Sequence, residues 1–293
     1  LPGRPVDSGP RFAREPAAES PLMSGPRALA ALLVALGLAT TALLRLVPAA
    51  AASWARAALL LALPLAVGAA GTLLVERRRR RPFPAEVAVP SLKYLPFVLV
   101  LLALDIAPVA FGAMAGQFAF VEGAATLSGL RAVAILFGLP AVIFVWTVGW
   151  EWGLRARLYA PWADAGRPRR AFALSVIAGT ALSLPALAPG FAAPERNFVL
   201  AGLLAAAVRE AIAVRLFRRA GMLLSGTFRG LAAGFEALVA ADRMSYWAPI
   251  AGYFAVVPEA QWLRLAGPLA AAVLAWGVLG ALDRRDARRR REP

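Results

Sequence analysis

The sequence predicts an all-α protein: a polytopic transmembrane helix bundle of about eight spans with both termini cytoplasmic. Three observations carry that expectation. Of the 293 residues, 60% are hydrophobic and only 17% charged, with a mean hydropathy of +0.66, whereas a soluble domain carries about a quarter charged residues. The apolar residues gather in runs of roughly 18 to 22, enough for a helix to cross about 30 Å of hydrocarbon. The basic residues fall between those runs rather than along them.

Taken in order, residues Leu1 to Ser20 hold six Pro or Gly among charges and show no apolar period. Residues 1–22 therefore read as a disordered leader or a misassigned start, with Met23 just ahead of the first apolar run. The spans then run approximately Arg27 to Pro48, Trp54 to Val75, Tyr94 to Met114, Gly129 to Trp150, Ala171 to Ala188, Phe198 to Leu216, Gly221 to Ala241 and Leu263 to Leu282. Asp105 and Pro108 interrupt the third, and the fifth is short. Together they make one transmembrane domain over 27–282, followed by a basic cytoplasmic tail over 283–293. No clear small-residue cleavage site follows the first run, which reads as a retained span.

Orientation follows from the Arg residues, because loops rich in Arg and Lys stay cytoplasmic. With an even number of spans and both ends inside, 24 of the 32 basic residues fall on the inner side. Only six lie at outer positions, and Arg209 and Arg229 lie within spans. The localisation this implies is an integral membrane protein of a bacterial cytoplasmic (inner) membrane. Trp54, Trp150, Trp152, Trp162, Trp247 and Trp262 stand near span ends, where an interfacial aromatic belt is expected.

The chain has no Cys and no His, which excludes thiolate chemistry, an imidazole base and a histidine metal ligand. Neither a cofactor nor a metal is expected. The net charge of +15 and pI near 11.6 point to the bilayer and to anionic lipid headgroups as partners, through Arg runs at 77–81 and 288–291. Nucleic acid is not expected, since neither run has interleaved aromatics or a fold to present it.

Ionisable groups within spans are costly and mark functional candidates. They are Asp105, Glu151 with Arg155 at the inner end of span four, Arg209 with Glu210, and Arg229 with Glu236. Glu151 and Arg155 stand four apart with the acid first, the favourable order for a helical pair. Each remaining charge is expected to find a partner such as Glu151, Arg209 or Glu210, because an unpaired buried ion costs several kcal/mol. Asp105 is the only deep aspartate, so a two-aspartate mechanism lacks its second member.

The segment Trp150-Glu151-Trp152-Gly153-Leu154-Arg155, with Pro161 beyond it, resembles the first signature of the CPBP intramembrane proteases, the Abi or CAAX-protease-like family. That signature is Glu-Glu-x-x-x-Arg, and Trp150 stands at the leading Glu. The stretch Gly179-Thr180-Ala181-Leu182-Ser183-Leu184-Pro185 matches the second signature with Ser183 at its His. After the turn Arg218-Arg219-Ala220-Gly221, the third signature places its His at Gly230 and its Asn at Gly234. The resemblance covers a core of about 94–241. It implies an intramembrane protease fold in which the four catalytic positions Trp150, Ser183, Gly230 and Gly234 are altered while Glu151 and Arg155 are retained.

The expected function is thus a catalytically inactive relative, a pseudoprotease acting as a scaffold that binds another transmembrane protein or a lipid. Gly226, Gly230 and Gly234 form a bare strip suited to close helix packing, within the chain or with that partner. Two alternatives stand beside it: an active intramembrane endopeptidase using Glu151, and a transporter or channel subunit.

Overall fold

The computed structural model describes residues 24–46, 62–71, 92–115, 118–120, 149–187, 196–239, 254–256 and 262–289. These are helical except for one short strand pairing. The helices are α1 (Ser24–Leu46), α2 (Ala62–Gly71) and α3 (Leu95–Met114), the last entered through a 3₁₀ turn at Leu92–Tyr94. Residues 149–151 then lead into a π-helical stretch, Trp152–Tyr159, which continues as α4 (Ala160–Asp164). The remaining helices are α5 (Pro168–Leu187), α6 (Arg196–Ala220), α7 (Met222–Val239) and α8 (Leu263–Arg289). Strands β1 (Phe118–Phe120) and β2 (Phe254–Val256) pair antiparallel, with Ala119 opposite Ala255.

Helices coincide with the predicted runs wherever those runs are described. The leader 1–22, most of the run Gly129 to Trp150, the Arg run at 77–81, Trp54 and Trp247 lie outside the described residues. Pro108 does not break α3, which runs through it. The eighth helix passes the predicted end at Leu282 and reaches Arg289. Its extension is held by ion pairs, since Arg215 and Arg219 of α6 donate to Asp283, and Arg219 also to Asp286. The hydrogen bond to Asp286, joined by the bond and charge of Asp283, holds the Arg219 guanidinium above its ordinary pKa.

Among the described residues, the helices pack in two groups. In one, α1, α2, the π-helical stretch and α5 pack around Leu29, Leu33, Val67, Leu154 and Leu182. In the other, α3, α6, α7 and α8 pack around Leu101, Ile212, Phe228 and Ala275. The groups meet where α5 lies against α6. Helix α6 ends on Gly221, whose φ of +86° is the left-handed conformation glycine adopts readily. The Gly221 N–H donates to the Phe217 carbonyl at 3.1 Å, and α7 begins at the next residue.

Close crossings are made by small residues. A Cβ on Gly37 of α1 would strike the Ala181 backbone of α5, and one on Gly267 of α8 would strike the Asp105 carbonyl of α3. Gly149 and Gly153, four residues apart, bear in the same way on Pro64 and Val67 of α2. This strip was not singled out in the sequence. Gly226 and Gly230 are buried on α7, while the side-chain positions of Gly234 and Glu236 lie outside the described residues.

Among the described residues, two helices are long and apolar enough to cross a membrane by length and composition: α1 over Arg27–Leu44, and α8. Leu99, Val100, Phe111, Met114 and Val273 are exposed, whereas Glu151, Arg155 and Glu210 are wholly buried. Arg-bearing helix ends, the start of α1 and the ends of α6 and α8, gather at one end of the bundle. There Arg27 stacks on Trp162, Tyr159 meets Phe217 edge-on, and the Arg219 pairs bind the end of α8.

Candidate functional site

The candidate site is an ionic cluster at the seam between the two helix groups. It starts from the π-helical stretch, where the Ala160 N–H donates to the Arg155 carbonyl five residues back. Such widened turns are rare and concentrate at functional sites. Glu151 opens the stretch and Arg155 lies inside it, and both are fully buried.

Arg155 uses its fork on two neighbouring helices. Nη1 donates to Ser175 Oγ of α5 at 2.6 Å, and Nη2 donates to Glu210 Oε2 of α6. Its Nε stands 3.5 Å from Glu151 Oε2, so the i,i+4 pair expected from the sequence forms as the longer of two ionic contacts. Ser225 of α7 donates to Glu151 Oε2 at 2.6 Å.

Glu210 is the hub. Its Oε1 accepts from Arg229 Nε of α7 and from Trp150 Nε1, the latter at 3.1 Å. The Arg229 guanidinium also lies over the Trp150 ring, 4.8 Å from its centroid, and its Nη2 donates to Ser183 Oγ at 3.1 Å. Ser183 in turn donates to the Gly179 carbonyl at 3.1 Å. Gly179 is bare for a reason, since a Cβ there would collide with the Glu210 carboxylate.

Of the four positions that the resemblance singles out, Trp150 and Ser183 are brought together, joined through Glu210 and Arg229. Gly230 is buried beside Arg229 on α7. The fourth, Gly234, belongs with the side chains outside the described residues. With both carboxylates ionised, two acids balance two guanidinium groups, which removes the large cost of an isolated buried charge.

Asp105 is paired with Arg209, whose Nε donates to both its carboxylate oxygens at 3.1 Å and whose Nη2 lies 3.0 Å from Oδ2. Arg209 and Glu210 are adjacent in sequence yet join separate networks, because consecutive helical residues point about 100° apart. Trp150 is not an interfacial residue but is 1% exposed, with its N–H spent on Glu210, and Trp162 is also buried. Trp152 is half-buried and Trp262 exposed.

Ser175, Gly179 and Ser225 were not singled out in the sequence. The spacing of Ser175, Gly179 and Ser183, four apart on α5, carries the signal: a polar and bare strip on one face of an apolar helix. Among the described residues no group of three His, Cys, Asp or Glu is placed to hold a metal ion. The cluster ties helices to one another, because every ionic group in it has an ionic or hydroxyl partner. The one open polar atom on its carboxylates is Glu151 Oε1, which no described residue hydrogen-bonds.

The chain matches no protein-family model, and comparisons with curated proteins and with solved structures give no match. The class that fold and site define is an all-α protein with a buried ionic cluster and, among the described residues, two helices apolar enough to span a membrane.

Proposed function

We propose that the chain is a polytopic membrane protein of about eight spans with both termini cytoplasmic, in a bacterial inner membrane. In this reading it is a non-catalytic relative of the CPBP proteases that binds another transmembrane helix or a lipid. The observation that carries it is the filled centre. Trp150 and Ser183, at positions where the resemblance implies catalytic groups, hold Glu210 and Arg229 in a closed, charge-balanced network. The membrane assignment is supported by exposed Leu99, Phe111 and Val273 over buried Glu151, Arg155 and Glu210. It is supported too by the gathering of Arg27 and Arg219 at one end of the bundle. Helix packing in a bilayer relies on such interhelical hydrogen bonds and small residues.

The test is purification of the full chain from native membranes after an alkaline carbonate wash. The protein should stay in the pellet, and a membrane-protein partner should co-purify. Gly234→Leu, which spares the buried Gly226 and Gly230, should lose the partner while inserting normally. Unchanged recovery counts against the scaffold reading, and release by carbonate against the membrane reading.

A second reading rests on Glu151 Oε1, the carboxylate oxygen left without a hydrogen bond. Residual proteolysis would run through Glu151, because both Glu210 oxygens are engaged. Cleavage of a membrane substrate by wild type, lost in Glu151→Gln, would establish it. Equal cleavage by both excludes it.

A further inference from the structure

The turn between α4 and α5 forms an open basin of about 530 Å³ lined by Gly166, Arg167, Pro168, Arg169 and Arg170. That volume falls within the usual range for small-ligand sites. Gly166 holds the turn open with a φ of +78°, and nothing stands within 4 Å of where its side chain would begin. Ala163 and Trp162 carbonyls tie the turn back by accepting from the Gly166 and Arg167 N–H groups at 3.1 and 3.0 Å.

The basin gathers positive charge with little to neutralise it. Arg169 and Arg170 are exposed and Arg167 is half-buried. Arg167 Nη1 is itself shielded from solvent, yet it has no hydrogen-bond partner among the described residues. Asp164, exposed at the end of α4, is the acid nearest in sequence, and it leaves the turn two charges positive. The start of α5 adds to this. Arg167 occupies the capping position, where its carbonyl accepts from Ala171 at 3.0 Å, but its side chain offers no acceptor to the first turn. Pro168 has no N–H, and those of Arg169 and Arg170 have no carbonyl of the helix to reach. An oxyanion above Pro168 meets two amide donors, a guanidinium fork and the positive end of the helix dipole.

We propose that this basin binds the phosphate of an anionic lipid headgroup, the exposed Arg169 and Arg170 side chains and their backbone N–H groups contacting its oxygens beside Arg167. The lipid source follows from position, and to that extent the proposal rests on the membrane reading. The turn lies at the basic end of the bundle, next to Trp162 and Arg27, where apolar helices end and headgroups begin.

Full-length protein, delipidated in detergent, is titrated with phosphatidylglycerol and with phosphatidylcholine, and bound lipid is counted by native mass spectrometry. Arg167→Gln/Arg169→Gln/Arg170→Gln should weaken phosphatidylglycerol binding at least about tenfold, given roughly 1 kcal/mol per basic residue at a membrane surface. Arg284→Gln/Arg285→Gln, a charge loss at the end of α8 equal to that of Arg169→Gln/Arg170→Gln, should leave it within about twofold. Arg169→Gln/Arg170→Gln, which touches exposed side chains alone, should give an intermediate loss and guards against misfolding of the triple variant. Millimolar inorganic phosphate should compete in wild type and not in the basin variant. Equal losses in the two double variants, or no loss in either basin variant, overturn the proposal. Phosphate binding without any preference for phosphatidylglycerol over phosphatidylcholine overturns the lipid source. Release from membranes by carbonate is a wild-type result, read separately from these comparisons.

Discussion

The Trp150 indole donates its N–H to Glu210 Oε1 at 3.1 Å, across sixty residues of chain and between two fully buried side chains. That carboxylate also receives Arg155 and Arg229. Replacing Glu210 by Gln leaves two buried guanidinium groups facing one remaining acid. The expected cost is about 3–5 kcal/mol, against about 1 kcal/mol for Trp150→Phe, which removes one hydrogen bond. Melting temperatures of the detergent-solubilised variants check this order, and equal shifts would remove Glu210 from the centre of the network.

Gly179 and Gly277 offer a paired comparison. A methyl group on Gly179 meets the Glu210 carboxylate, whereas one on Gly277 of α8 meets nothing within 4 Å. Gly179→Ala should cost about 1–3 kcal/mol through overpacking. By contrast, Gly277→Ala should gain about 0.5–1 kcal/mol from helix propensity. Thermal shifts of the same sign in both variants would contradict the described contact.

Asp105 and Arg209 join α3 to α6 with a two-pronged contact. Either single change to Leu removes one half of a buried ion pair and should cost about 3–5 kcal/mol. The double change should recover most of that loss, since an apolar pair restores neutrality. A double-mutant cycle in denaturant measures the coupling, and strictly additive losses would mean the two charges do not compensate one another.

Arg215 and Arg219 hold the last turns of α8 through Asp283 and Asp286, whose side chains are close to half exposed. Pairs so open to solvent contribute about 1 kcal/mol or less. Asp283→Asn/Asp286→Asn should therefore leave global stability nearly unchanged while speeding tryptic cleavage after Arg284 and Arg285. High salt should mimic the variant. Wild-type cleavage rates in the variant would show that α8 holds its end without these contacts.

Much of the helical layout was legible, because long apolar runs between Arg-rich segments carry a strong periodic and compositional signal. The end of α8 was not, since a hydropathy boundary at Leu282 says nothing about Asp283 reaching back to Arg219. In the site, the charged residues stood out by type, but their pairing did not. Arg209 and Glu210 look like a unit in sequence and face different helices in space. Trp150 sits where a belt residue is expected, and only tertiary packing turns it inward. Ser175 and Ser225 passed unnoticed because hydroxyls in apolar helices are commonplace and become informative only opposite Arg155 and Glu151.

The pairing of two acids with two guanidinium groups around Glu210 has an electrical corollary. In a bilayer, a transmembrane voltage does work on a moving body in proportion to its net charge. Glu151, Arg155, Glu210 and Arg229 sum to zero when ionised, as do Asp105 and Arg209. In the membrane reading, a change in polarisation would thus exert no net pull on either set as a whole.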